Sequence, residues 1–293
     1  MLKITDDIFR IVYTQEDDLP DVNSYFVKSK KLLIDAGPDS LQNLKILKNS
    51  LREANMDLSD IEFVIVTHHH LDHSGLLSRL PSNIKVIAPD NLKYYGSSKY
   101  LDDISTFFSA SNFSEEFSFA IRKNFLREYS PALSNLKYIP YKQSKTLQKN
   151  LGIEITQMIG HSSSDLIIKI DNFLFTGDIV LPKVFFNCIF ELDEKNQMGL
   201  SGQRSSYKKE LDFILMNQED LVLPGHSHPL NKDETKKIIN DSKRRMRRTE
   251  TRVRKLLEQG ELSIEEVSQS IFGSFMEYST FLPFSDICSI FNE

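Results

Sequence analysis

Four of the chain's seven histidines fall within Thr67-His68-His69-His70-Leu71-Asp72-His73, one in Gly160-His161-Ser162, and two in Gly225-His226-Ser227-His228. Each group follows, or nearly follows, a short apolar run that reads as a strand, which puts all three at strand ends. At the end of an extended segment residues i and i+2 point the same way, so His68 and His70 can grip one cation while His69 points away. The turn that follows lets Asp72 and His73 face a second cation, with His161 completing the first ligand set and His226 the second. A carboxylate is needed between two such cations, and Thr176-Gly177-Asp178 provides it, Gly177 allowing the backbone to approach closely. Imidazole and carboxylate without thiolate suit two divalent ions, Zn²⁺ first, with Fe²⁺ and Mn²⁺ also accommodated. Two ions about 3.5–4 Å apart can share a hydroxide at neutral pH, and Asp72 and Asp178 would hold that nucleophile. An isolated His-x-His is most simply a pair of hydrogen-bonded turn histidines, but the full set in this order is not. No Gly-x-Ser-x-Gly elbow offers a side-chain nucleophile, so the chemistry expected is metal-dependent hydrolysis.

These groups need strands that end together. Candidate strands are 8–13, 24–28, 32–35, 62–66, 85–88, 136–139, 152–158, 166–170 and 173–175, with Val222 in another just before Pro224. The segments 32–35 and 63–66 are almost wholly apolar, as strands covered on both faces should be. Between them Leu41, Leu44, Leu47 and Leu51 recur at helical spacing, with Asp39 or Ser40 able to cap the start. Alternation of this kind implies an α/β layering with helices outside the sheets.

Residues 92–131 break the rhythm, holding 10 of the chain's 30 aromatics, and read as an inserted pair of helices. Their aromatics either pack the insert onto the body or, as with Phe107 and Phe117, line an apolar substrate pocket. Beyond the last histidine motif, Asn231 with Glu234 forms a capping box for a long helix ending near Gly260, and Ser263 with Glu266 forms another, stapled by Leu262 and Val267. The expected division is a catalytic domain over 1–230, carrying the insert 92–131, and a helical appendage over 231–293.

The set His-x-His-x-Asp-His at 68–73, His161, Asp178 and His226, preceded by Asn23–Val27 and by Leu33-Ile34-Asp35-Ala36-Gly37, resembles the metallo-β-lactamase fold superfamily over roughly residues 1–230. The resemblance implies an αβ/βα sandwich with the metals at one edge between two sheets. It assigns His68, His70 and His161 to one ion and Asp72, His73 and His226 to the other, with Asp178 bridging. Asp35 is then expected to orient a ligand imidazole through its other nitrogen, and His228 is either another such supporting group or merely exposed. A bridging Asp with no Cys at that place points to the glyoxalase II-like branch. Gly177–Pro182 and the appendage resemble hydrolases related to the β-lactamase-like protein 2 group, in which a small winged-helix-like domain follows the last histidine. Here only the helical part of that domain matches, and the basic and aromatic residues expected to bind glutathione are missing.

Composition narrows the remaining classes. With 40% hydrophobic and 26% charged residues, the chain is an ordinary globular protein rather than a disordered or coiled-coil one. Cys188 and Cys288 are far apart and imply no disulfide framework, the two aspartates in MLKITDDIFR do not suit a signal peptide, and a cytoplasmic location is expected. Net charge is −5, yet Lys243–Lys255 holds eight Lys/Arg and one Glu, a local +7. That run is either a solvated helix face or a phosphate-binding surface, which leaves two expectations. The preferred one is hydrolysis of a small-molecule ester, thioester or lactone; the other is single-stranded RNA cleavage through 243–255. A homodimer is compatible with both, and no membrane partner is expected.

Overall fold

The computed structural model describes residues 1–15, 20–182, 188–194, 201–217 and 221–293. Seven strands form the first sheet: β1 (Leu2–Lys3), β2 (Ile8–Tyr13), β3 (Val22–Val27), β4 (Leu32–Ile34), β5 (Phe63–Ile65), β6 (Lys85–Ala88) and β7 (Ile139–Pro140), adjacent in that order. The pairing is antiparallel from β1 to β4 and parallel from β4 to β7. The second sheet runs in the order β12-β11-β10-β9-β8 from β8 (Glu154–Met158), β9 (Asp165–Ile170), β10 (Phe173–Gly177), β11 (Leu221–Pro224) and β12 (Leu230–Asn231), and only β10 and β11 are parallel.

Side-chain alternation builds the layers. In β4, Leu32 and Ile34 join a core with Leu166, Ile168 and Ile170 of β9, whereas Leu33 faces a separate cluster containing helix residues. In β9, Ile167 faces outward to Tyr207 and Leu211. The two-residue period thus places one apolar layer between the sheets and one beneath the helices on each side, the αβ/βα sandwich expected from the sequence.

The helices are α1 (Leu41–Glu53), α2 (Leu71–Ser74), α3 (Ser98–Ala110), α4 (Glu115–Arg127), α5 (Pro131–Ser134), α6 (Lys145–Leu151), α7 (Gln203–Asn217), α8 (Lys232–Leu257), α9 (Ile264–Phe272) and α10 (Phe281–Phe291). Ser40, not Asp39, caps α1, its hydroxyl accepting from the Asn43 amide. Both capping boxes form, Asn231 with Glu234 opening α8 and Ser263 with Glu266 opening α9. Several expectations shift at their ends: β3 starts at Val22 rather than 24, β7 at Ile139 rather than 136 and β8 at Glu154 rather than 152, and α8 stops at Leu257, short of Gly260. Among the described residues no helix is long and apolar enough to cross a membrane.

Sequence pattern misses α7 and α10 for opposite reasons. The buried face of α7 carries Gln203, Arg204 and Glu210 among its apolar residues, so no clean stripe marks it. Helix α10 is apolar on nearly every side, and Pro283 falls within its first turn, where a missing amide is tolerated. Phe281 and Phe284 of α10 enter the same core as Phe107, Phe117 and Phe125 of the insert.

Arg204 ties these late helices together. Its fully buried guanidinium donates to Asp286 Oδ1 of α10 at 2.6 Å, to Glu250 Oε1 of α8 at 2.7 Å and to the Met246 carbonyl at 2.9 Å. Removing it leaves the buried Asp286 carboxylate without its cation. Arg204→Ala is expected to lose roughly 3–5 kcal/mol of stability, read from urea unfolding; a loss under about 1 kcal/mol would show that the tie is not structural.

Candidate metal centre

The candidate ligands come from four strand ends. β5 runs into Thr67-His68-His69-His70, the β8–β9 turn carries His161, β10 ends at Gly177-Asp178, and β11 ends at Gly225-His226. Backbone bonds stitch these ends across the two sheets. The Leu166 amide donates to the Thr67 carbonyl at 2.7 Å, the Gly225 amide to the Gly177 carbonyl at 2.7 Å, and the Asn23 amide of β3 to the Gly225 carbonyl at 2.7 Å. Space there is tight. A Cβ on Gly177, whose φ is +49°, would lie 2.7 Å from Thr67 Oγ1, and one on Gly225 would overlap Asp178 Oδ1 and lie 2.6 Å from His73 Cε1. Glycine is therefore required at both strand ends.

Four overlapping groups of possible ligands result among the described residues: besides His68-His73-Asp178 and His69-His70-Glu191, two correspond to the sets expected from the sequence. The ligand atoms of His68, His70 and His161 lie within 4.8 Å of one another, as do those of Asp72, His73 and His226. Asp178 stands between them. Its Oδ2 lies 3.1 Å from His226 Nε2 and 3.8 Å from His161 Nε2, and its Oδ1 lies 3.3 Å from His73 Nε2.

Neighbouring groups select the inward nitrogen of four of the imidazoles. His68 Nδ1 is 3.0 Å from Thr67 Oγ1, whose hydroxyl donates to Asp35 Oδ2 at 2.9 Å, so His68 turns Nε2 inward. His73 Nδ1 donates to Asp35 Oδ2 at 2.9 Å, and His226 Nδ1 to the Asp21 carbonyl at 2.8 Å, leaving Nε2 inward on both. His70 is reversed. Its Nε2 donates to Glu191 Oε1 at 2.7 Å, and its Nδ1 faces His68 Nε2 at 2.9 Å. Outer partners of this kind are those that orient imidazoles where histidines bind a metal.

The donor set fits divalent cations. His73 Nε2 and Asp178 Oδ1 are buried, face each other, and make no hydrogen bond of proper geometry. Such orphaned atoms are costly unless something between them satisfies both. The electrostatics agree. Burial alone would depress the imidazoles, yet the facing carboxylates hold His73 well above its usual range and lift His70 and His226 to about 10. His68 is pushed well below its usual value by burial and by the neighbouring His73 and His70, which outweigh the opposing charge of Asp178. The His/Asp clusters are consistent with a binuclear metal site.

Of the residues singled out in the sequence, His68, His70, Asp72, His73, His161, Asp178 and His226 are brought together, and Asp35 lies directly behind Thr67 and His73. His69 turns away and stacks on Tyr95, with ring centroids 3.4 Å apart. His228 is not brought to the centre. Ser227, at φ +70°, breaks the extended alternation after His226, and His228 is exposed with Ser227 and Glu234 as its neighbours. Phe107 and Phe117 do not line the cavity over these clusters; they are buried at 3% and 5% exposure against Phe284, and Phe117 borders a separate cavity beside Ser263 and Glu266. Instead Tyr100, Phe125, Phe190 and Phe281 line a cavity of about 460 Å³ that opens onto both ligand clusters.

Sequence reasoning missed Thr67, Glu128 and Glu191. Glu191 is buried, accepts from His70 Nε2 and from the Ser163 amide at 2.7 Å each, and lies 3.5 Å from His69 Nε2. Glu128, which caps the C-terminus of α4, accepts from the Leu71 amide at 3.1 Å, between the candidate ligands His70 and Asp72. One signal was present: Glu191 is the single charge within the run Cys188-Ile189-Phe190-Glu191-Leu192, and a lone charge in an apolar run demands a buried partner.

Residues 17–226 match the family described as the metallo-beta-lactamase superfamily, more than two thirds of the chain. The chain belongs to that superfamily. It is 26% identical over 295 residues to "Probable metallo-hydrolase YqjP" of Bacillus subtilis (strain 168), covering 96% of this chain and 90% of that protein. Among solved structures it is similar to the metallo-beta-lactamase family protein TTHA1429 from Thermus thermophilus, with a TM-score of 0.74 at 15% identity, over 99% of this chain and 93% of that one. A beta-lactamase domain protein from Burkholderia ambifaria gives a TM-score of 0.72 at 15% identity, over 99% and 87% of the two chains. The shared fold thus extends through the C-terminal helices.

Two outcomes follow for metal binding. Glu191→Gln keeps an acceptor for His70 but removes the charge, and Glu191→Ala removes both, so affinity should fall by about 10-fold and up to about 100-fold respectively, measured by chelator competition. Unchanged affinity in both would remove Glu191 from the metal's support. Because His70, His73 and His226 hold protons that a cation must displace, apparent affinity should rise with pH between about 6 and 8; equal values at both ends would show that no proton is released.

Proposed function

We propose that this metal-dependent hydrolase cleaves an ester, thioester or lactone bond of a small molecule, in the manner of the glyoxalase II-like branch of its superfamily. The observation that carries this reading is the cavity of about 460 Å³, whose wall includes Tyr100, Phe125, Phe190 and Phe281 and onto which His70, His161, Asp72, Asp178 and His226 open. That size and lining suit a small, partly apolar molecule. Zn²⁺ is the proposed resident metal at both positions, with His68, His70 and His161 holding one ion, Asp72, His73 and His226 the other, and Asp178 both. Two ions so held supply Lewis acidity and a nucleophile drawn from water at neutral pH.

The chain's own residues do the rest. Asp72 is the most open of the ligands, its side chain 25% exposed, and the Gln15 amide lies 3.5 Å from its Oδ2. Its carboxylate can therefore accept a hydrogen bond from an attacking water at the cavity floor. Tyr100, Phe125, Phe190 and Phe281 exclude bulk water from the acyl group and strengthen polar interactions beneath it. Glu128, through Leu71, fixes the turn between His70 and Asp72.

The structure gives less support to RNA cleavage. Lys243 is paired with Asp212, Arg244 with Asp241, and Arg252 donates to the Ile271 carbonyl at 2.8 Å. Among the described residues no part of α8 lines the cavity.

A screen of esters, thioesters, lactones, phosphodiesters and RNA with Zn-, Mn- and Fe-loaded protein tests the proposal. Turnover of acyl substrates by protein carrying two metal equivalents is expected; salt-dependent RNA cleavage, lost on replacing Arg244, Arg248 and Arg252 by Glu, would overturn it. Asp178→Ala should bind less than two equivalents and lose at least about 10³-fold in kcat while circular dichroism stays unchanged. Full metal content and activity in that variant would remove Asp178 as the bridge.

A further inference from the structure

The cavity above the ligand clusters carries one feature that the chemistry at its floor does not use. Among the described residues lining it, Arg127 is the only Arg or Lys. The carboxylates around the same cavity are all engaged. Asp39 pairs with Arg79, Glu128 accepts from the Leu71 amide, Glu191 accepts from His70 and Ser163, and Asp72 and Asp178 face His73 and His226. Arg127 has no hydrogen bond or ion pair with any described residue and is exposed. Its place is fixed by its neighbours on α4. Phe125 is buried in the core, and Glu128 is anchored to Leu71, so the helix presents Asn124 and Arg127 toward the opening. Asn124 uses one of its two amide N–H groups on the Ala120 carbonyl of its own helix, and the guanidinium is the one charged donor on that wall among the described residues.

A cation in the last turn of a helix also suits the helix dipole, and that is the plain structural explanation for Arg127. It does not account for the position at the mouth of the cavity. A guanidinium fork there is complementary to a planar carboxylate. One cation beside several committed acids matches a single negative charge and not a phosphate dianion.

We propose that Arg127 is a specificity-determining residue that binds a carboxylate at the distal end of the substrate, so that the preferred substrate is an acyl ester or thioester whose far end carries one carboxylate group. The apolar segment between the two ends lies against Phe125 and Phe190, and the scissile bond lies over the ligand clusters. The inference deepens the acyl-hydrolase reading and rests on it for catalysis, but binding alone can test it.

The test compares glutarate with butyrate, and the 4-nitrophenyl monoester of glutarate with 4-nitrophenyl butyrate, on metal-loaded wild-type protein and on Arg127→Gln and Arg127→Lys. Calorimetry should show glutarate binding about tenfold more tightly than butyrate to wild type, with the preference lost in Arg127→Gln and partly kept in Arg127→Lys. Kinetics should show the same split in KM for the charged ester, with the neutral ester within about twofold throughout. Equal binding of glutarate and butyrate to wild type, or a glutarate preference that survives Arg127→Gln, would overturn the subsite even if both esters are hydrolysed. If neither ester is hydrolysed yet the Arg127-dependent glutarate preference is present, the acyl-hydrolase reading fails and the carboxylate subsite stands.

Discussion

Asp35 accepts from the Thr67 amide at 2.7 Å, from the Thr67 hydroxyl at 2.9 Å and from His73 Nδ1 at 2.9 Å. Those bonds constrain the whole rim. They fix the chain as it leaves β5, set His68 through Thr67, and turn His73 so that its Nε2 meets Asp178. A buried carboxylate must be satisfied on most of its lone pairs, and this one is satisfied by groups that themselves lead to ligands. Asp35 adopts φ +58°, a left-handed conformation that a non-glycine residue holds only when its surroundings compel it. The backbone there is shaped by the site.

From that constraint the layering gains a chemical purpose. Parallel β4–β5–β6 and parallel β10–β11 deliver their ends to one rim, where loops can present side chains without interrupting either apolar core. Leu32, Ile34, Ile168 and Phe175 keep the sheets packed while the polar groups gather beyond their ends. The insert and the C-terminal helix then close over the rim. Phe125 and Phe281 have ring centroids 5.7 Å apart, and both reach the cavity, so segments far apart in the chain form one wall.

The aromatics of the insert show how one composition serves two roles. Phe107, Phe108 and Phe117 are buried in the core and hold α3 and α4 to the body, whereas Tyr100 and Phe125 sit at the boundary between that core and the cavity. Enrichment alone could not separate them, since helical periodicity marks a buried face without saying what covers it. Phe119 of the same helix is 74% exposed.

The sequence by itself singled out the seven His and Asp residues that the fold gathers at one rim, and most strands. His68, His70, Asp72 and His73 are close in the chain, and their spacing converts directly into direction at a strand end; His161, Asp178 and His226 each carry a glycine neighbour that marks a tight approach. The alternation of strands and helices gave an α/β layering, the family resemblance made it an αβ/βα sandwich, and both capping boxes followed from local hydrogen bonding. What the tertiary structure decided depends on contacts between residues far apart. Glu191 supports His70 across 121 positions, Glu128 supports Leu71 across 57, and Arg204 joins α10 across 82. The lone charge of Glu191 in its apolar run signals a buried partner without saying which, and no pair is legible as a pair, because a long-range contact leaves no period in the chain. His228 marks the same limit: the left-handed turn at Ser227 removes it from the face that His226 occupies, and a backbone angle of that kind at a serine is set by the fold and not by the residue.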